Sequence, residues 1–235
     1  MKNVLKKILI IIFFILILFF VFNVKIQTID VRNNTKSTDT EIINQMFKRE
    51  FDKRSIVLFI NEKVGRHKKM KYVKSYSVSW NSPKSIVINV IENPSIAYVR
   101  SDLKRVYFDK DGIINEITDE IKSNLMEVEG ISFKSYEKGD YISSQNNEII
   151  SAILEITSTV YEKSIPASLL EIMPDNTLKL YVENIIVILG DVGNMEVKLQ
   201  RLYDIYKEIS EYSGVLDLSN AKENMLDEQY IFKKN

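Results

Sequence analysis

The run from Ile8 to Phe22 is 15 residues long and carries no polar side-chain atom. A helix on a protein surface needs a wet face, and this one has none. With Val4, Leu5 and Val24 the apolar stretch reaches about 20 residues, enough to cross a hydrocarbon core of about 30 Å. At roughly −0.3 to −0.6 kcal/mol per central apolar residue, insertion is favourable by about 5 to 9 kcal/mol, an upper figure because the ends gain less. The remainder of the chain is therefore read as material attached to a membrane anchor spanning 8–24.

The flanks bear on orientation. Lys2, Lys6 and Lys7 make a basic tail over 1–7 with no acid in it, which favours a cytoplasmic amino end. A secretory signal would add a small-residue cleavage site. Asn23-Val24-Lys25-Ile26 offers none, and the first Ala is Ala97. The expectation is an uncleaved anchor with everything after it outside the cytoplasm. Cysteine is absent, so neither a lipidated cysteine nor a disulfide framework is available. Lys+Arg and Asp+Glu both number 32, a balance that argues against a general nucleic-acid binder.

Beyond the anchor the pattern is mixed. Ile26, Ile29 and Val31 suggest a strand, and Arg32-Asn33-Asn34-Thr35 a turn. Thr38 and Glu41 have capping-box spacing before Ile42, Ile43, Met46 and Phe47, which predicts a helix ending near Glu50. Residues 55–60 read as an apolar connection, and Asn61 to Lys69 as a second, more polar helix with a basic end. Tyr72–Trp80 and Lys84–Glu92 alternate on either side of Asn81-Ser82-Pro83, a hairpin signature. Strand, helix, helix, strand, strand over 25–93 would close a small core.

From 94 to 235 the expectation is a β-rich domain with two helices on a sheet. Strands are read at 95–100, 106–109, 169–173, 177–182, 185–189, 214–218 and 230–233. Helical stripes run over 148–162 and from Met195 through Ile209. The fold class is thus α+β. Asp109-Lys110-Asp111-Gly112 has acids alternating before a glycine, but it lacks the later acids of a calcium loop and reads as a turn. The strand Gln229–Lys233 is either an ordinary terminal strand guarded by Lys233 and Lys234 or an open edge for a partner's strand.

No catalytic constellation is legible. His67 is the sole histidine and sits among lysines, so a zinc site is not expected. No G-x-S-x-G elbow or phosphate-cradling loop occurs; Gly190-Asp191-Val192-Gly193 reads as a strand-to-helix turn. Asp119/Glu120 and Glu127/Glu129 could mimic a glycosidase pair but read as solvated charge. The basic run from Arg66 to Lys74 is either a solvated helix end or a contact for anionic lipid or wall polymer. No cofactor is expected.

The order of parts, with Ile-Asp-Val-Arg-Asn-Asn at 29–34 and Pro-Lys-Ser-Ile-Val-Ile-Asn-Val-Ile-Glu-Asn-Pro at 83–94, resembles the FtsQ/DivIB family of bacterial cell-division proteins. Tyr107–Gly112 is similar to the family's aromatic–Asp–x–x–Gly turn, and Gly214–Leu218 to its late hydrophobic–Asp–Leu strand. Asn33 replaces the usual Gly, Met70-Lys71 a frequent Pro, and Met126 a Leu-Pro pair. The resemblance implies a POTRA domain over 25–93 and a β domain over 94–235. It implies a non-enzymatic septal scaffold that binds small coiled-coil division proteins of the FtsB/DivIC and FtsL type, and the septal peptidoglycan synthase beyond them. It also implies partner-binding residues on the last strand and the long helix before it: Gln229, Tyr230, Ile231, Phe232, Leu202 and Tyr206. The alternatives are a membrane-anchored wall-processing enzyme or another extracytoplasmic POTRA interaction protein. An outer-membrane insertase would need a barrel that the remaining chain cannot supply.

Overall fold

The structure is a computed structural model, described over residues 2–131, 136–144, 146–221 and 231–234. It is mixed α+β, with an apolar amino-terminal helix and two sheets. The chain divides into two compact units, Met1–Asn93 and Pro94–Asn235.

Helix α1 covers Lys2–Asn23, 22 residues, or about 33 Å at 1.5 Å per residue. Its side chains from Lys6 to Asn23 are all exposed. No protein surface shields this apolar cylinder, so lipid is the environment its composition demands.

The rest of the first unit has the order β1 (Thr28–Arg32), α2 (Asp39–Met46), α3 (Ser55–Lys63), β2 (Val73–Ser82) and β3 (Ser85–Glu92). The sheet runs β1-β3-β2, with β1 parallel and β2 antiparallel to β3. Alternation places Ile86, Ile88 and Val90 on one face of β3, where they meet Ile42, Met46, Phe47 and Leu58. The capping box forms: the Glu41 N–H donates to the Thr38 hydroxyl at 3.2 Å, and the Thr38 N–H to the Glu41 carboxylate at 2.7 Å. Asn33 takes the left-handed conformation, φ 65°, which Asn tolerates better than other side-chain-bearing residues.

Glu92, in the expected family motif, fastens the loop between β1 and α2. Its carboxylate accepts from the Thr35 hydroxyl at 2.7 Å and from the backbone N–H groups of Thr35, Lys36 and Ser37 at 2.9–3.0 Å. Burial pushes this carboxyl up, but the hydroxyl and the three amides outweigh it and hold it below its ordinary 4.5. A depressed carboxyl stabilises the fold above its unfolded value, and that contribution is lost as pH falls through the folded value.

Two expectations need correction here. The second helix begins at Ser55, not Asn61, and ends at Lys63. Residues 55–60 are its first turns rather than a connection. Its outward face is also apolar, with Phe59 and Ile60 exposed, so no amphipathic period marked its start. His67 and the basic residues after it consequently lie beyond the helix. The His67 ring stands edge-on to Tyr76 at 5.3 Å, with Nδ1 3.6 Å from a Glu62 carboxylate oxygen.

Among the described residues the second unit holds nine strands: β4 (Ala97–Ser101), β5 (Lys104–Phe108), β6 (Ile114–Thr118), β7 (Met126–Glu129), β8 (Ala167–Ile172), β9 (Leu178–Val182), β10 (Ile185–Gly190), β11 (Gly214–Asp217) and β12 (Ile231–Lys234). They form one sheet, ordered β12-β11-β10-β9-β8-β7-β4-β5-β6. Helix α4 (Asn147–Glu162) links the parallel pair β7 and β8, and α5 (Met195–Ile209) links the parallel pair β10 and β11, as parallel neighbours require. Ile153 and Ile156 of α4 and Leu199 and Leu202 of α5 are buried in one cluster with Leu170, Leu180 and Val187 of the sheet.

Strands β6 and β7 were not anticipated. Glu127 masked β7, and its reading as solvated charge is overturned. It is 8% exposed, accepting from the Tyr98 hydroxyl at 2.8 Å and from the Arg100 guanidinium at 2.9 Å. Lys198 is a second hidden charge. Fully buried on α5, it donates to the Asp191 carbonyl at 2.8 Å and ties the β10–α5 turn to the helix.

Two outcomes test this description. Thr38→Ala should destabilise the first unit by about 1 kcal/mol, with Thr38→Ser close to neutral. Denaturant unfolding followed through Trp80, the single tryptophan, reads that unit alone. Glu92→Gln should lower stability at neutral pH and flatten its decline as pH drops below about 4.5, the ordinary carboxyl value.

Candidate functional site

Of the expected partner-binding residues, Ile231 and Phe232 lie on β12 at one end of the large sheet, and Leu202 and Tyr206 lie on α5. Strand β12 pairs antiparallel with β11: Gly214 opposite Lys234, Val215 opposite Lys233, Leu216 opposite Phe232, and Asp217 opposite Ile231. It ends the sheet, and among the described residues nothing pairs with its outer side. The opposite edge, β6, is partly covered: Ile114 exchanges backbone hydrogen bonds of 2.8 Å with Asp140 and Gly139. An open edge strand presents a row of unpaired N–H and C=O groups, a template for another strand.

Gly214 is what allows β12 to approach. A Cβ there would lie 2.2 Å from the Lys233 carbonyl oxygen and 3.0 Å from the Phe232 ring. No side chain fits without moving the strand.

The candidate residues divide by position. Ile231 is 55% exposed, and Phe232 is half-buried against the core cluster. Gln229 and Tyr230 lie outside the described residues. Leu202 is fully buried in the core, so its side chain holds α5 on the sheet and offers no surface. Tyr206 is half-buried, and its hydroxyl donates to the Glu183 carboxylate at 2.7 Å. Burial first, and the Glu183 carboxylate second, push the phenol up to about 12, so it stays a neutral donor. Tyr212 was not singled out from the sequence. It stands 43% exposed, with the Lys234 ammonium 3.3 Å from its ring centroid. An aromatic just before Gly214 was the available signal.

The Asp109–Gly112 candidate is a structural turn. The Asp109 carboxylate is buried and accepts the N–H groups of Asp111 and Ile113 at 3.0 Å. Gly112 completes that turn at φ 76°. Among the described residues no three potential ligands gather around a point where a metal could sit. The chemistry that the β12 edge offers is backbone hydrogen bonding with aromatic and aliphatic flanks.

Fold and edge together define a membrane-anchored α+β protein whose strand β12 has, among the described residues, no pairing on its outer side. No protein-family profile matches the chain. It is similar to the cell division protein DivIB of Clostridium tetani, 28% identical over 196 residues that cover 82% of this chain and 73% of that protein. It is also similar to the cell division protein DivIB of Clostridium acetobutylicum, 24% identical over 153 residues, 63% of this chain and 61% of that protein. With the order of its parts, these matches make the chain similar to cell-division proteins of the DivIB type.

Gly214→Ala should displace β12 at a cost of about 1–3 kcal/mol, the usual range for forcing extra atoms into a packed site. Amide hydrogen exchange at 231–234 should then approach the unfolded rate while β8 to β10 stay protected.

Proposed function

We propose that this chain is a non-enzymatic scaffold of the bacterial division septum. The observation that carries the reading is the match to DivIB over 82% of the chain. In this reading the tail over 1–7 is cytoplasmic, and both folded units stand outside the membrane. The first unit, over 25–93, is a POTRA domain; its order β1, α2, α3, β2, β3 supports that. The second, over 94–235, is the partner-binding domain.

The partners are small coiled-coil division proteins of the FtsB/DivIC and FtsL type, and through them the septal peptidoglycan synthase. A partner segment adds a strand outside β12, with its backbone groups satisfying those of the edge. Ile231 supplies exposed apolar surface, and Tyr212 lies beside Lys234 on the same border. Leu202 and Phe232 act from behind by fixing α5 and β12 in place.

Depletion followed by imaging tests the cellular role. Filaments without septa are expected; normal division with some other defect would overturn it. For the contact, Ile231→Asp should weaken capture of the coiled-coil partner at least tenfold, about 1.4 kcal/mol, with an unchanged far-ultraviolet dichroism spectrum. Undiminished capture would remove β12 from the interface.

A further inference from the structure

We propose that the outward face of α3, with the turn before it, lies in the interface of the same bilayer that α1 crosses. The inference rests on reading α1 as a membrane anchor. It begins with a short covalent distance. Helix α1 ends at Asn23, and the next residue, Val24, accepts through its carbonyl from the Ser55 N–H at 3.0 Å. The Ile26 N–H donates to the Lys53 carbonyl at 2.8 Å, and Lys25 forms a backbone bridge with Arg54. The first residue of α3 is thus fastened to the first residue beyond the anchor. Nine residues long, α3 extends only about 13 Å from that point.

Its surface suits the location. Between residues 24 and 93 the large exposed apolar side chains are Phe51, Phe59, Ile60, Val64 and Ile91, at 46–61% exposure. Four of these five fall within 51–64, in the segment tied to the end of α1. Single exposed apolar residues mean little, but a cluster on one short segment marks a binding surface.

Charge points the same way. From Lys48 to Arg66 the sequence has six basic and three acidic residues, in a chain that is otherwise balanced. Arg54 stacks over Phe51 at 5.0 Å and Lys63 over Phe59 at 5.8 Å. Aromatic and aliphatic side chains flanked by cations are what an interfacial helix offers to acyl chains below and anionic headgroups beside it. The acids do not spoil this face. Glu50 is paired with Lys53 at 2.9 Å and Lys25 at 3.5 Å, and Glu62 is turned inward toward His67. The first unit is then held by two contacts with the bilayer, which restricts its tilt about the anchor.

The absence of cysteine makes single-site labelling direct. The full chain is reconstituted into phosphatidylcholine–phosphatidylglycerol vesicles containing a lipid with a shallow acyl quencher, to report on position 60, or one with a deep acyl quencher, to report on position 14. An environment-sensitive fluorophore is placed through Ile60→Cys, Ile91→Cys or Phe14→Cys. Ile91 is exposed in the same unit, six residues along β3 from Ser85; the Gln27 N–H donates to the Lys84 carbonyl at 2.8 Å, so Ile91 lies about 20 Å along the strand from that contact near the anchor. The label at 60 should be blue-shifted and quenched, the one at 91 neither, and the one at 14 strongly quenched; omitting phosphatidylglycerol should reduce the effect at 60 but not at 14. If 60 behaves like 91 while 14 is quenched, the interfacial contact is wrong and the anchor stands. If 14 is unquenched, both fall. Quenching at 60 that ignores phosphatidylglycerol would overturn the role given to the cations.

Discussion

A helix that offers water only carbon from Ile8 to Phe22 is stable only where water is excluded, and everything else in this chain follows from where that helix must lie. The α1 side chains from Lys6 to Asn23 find no cover among the described residues. At about 33 Å the helix matches a hydrocarbon core of about 30 Å. The chain leaves it with no linker: Val24 is already hydrogen-bonded to Ser55, and Ile26 to Lys53. The first folded unit is consequently delivered at the membrane surface.

The two sheets answer different demands. In the first unit three strands and two short helices bury a small core, and the connecting loop is kept in place by one carboxylate serving four donors. In the second unit nine strands share one core with α4 and α5. A sheet of that kind has two ends. The β6 end is partly closed by the segment around Asp140, and among the described residues nothing pairs with the outer side of β12. Gly214 gives β12 its place beside β11, so the same residue that completes the sheet sets up its edge.

Much of this was legible in the sequence where one face is wet. The capping box at Thr38, the β2–β3 hairpin and the stripes of α4 and α5 each carried a clean period. Legibility failed where both faces are alike or where a charge is buried. Helix α3 hid its start because Phe59 and Ile60 point outward. Strand β7 was concealed by Glu127, whose charge is met by Tyr98 and Arg100 from β4, partners that only the fold brings near. At the candidate site, proximity to the carboxyl end suggested an edge, and the sheet order places β12 there. The separation of buried Leu202 from exposed Ile231 depends on packing that spacing alone does not reveal.

The proposed contact at the β12 edge, where a partner adds its strand, is open to direct test. The most direct measurement is amide hydrogen exchange on the full chain, alone and saturated with its small coiled-coil partner. Slowed exchange concentrated in β12, with the α2 and β3 amides unchanged, is expected. Tight binding that leaves β12 exchange unaltered would contradict it.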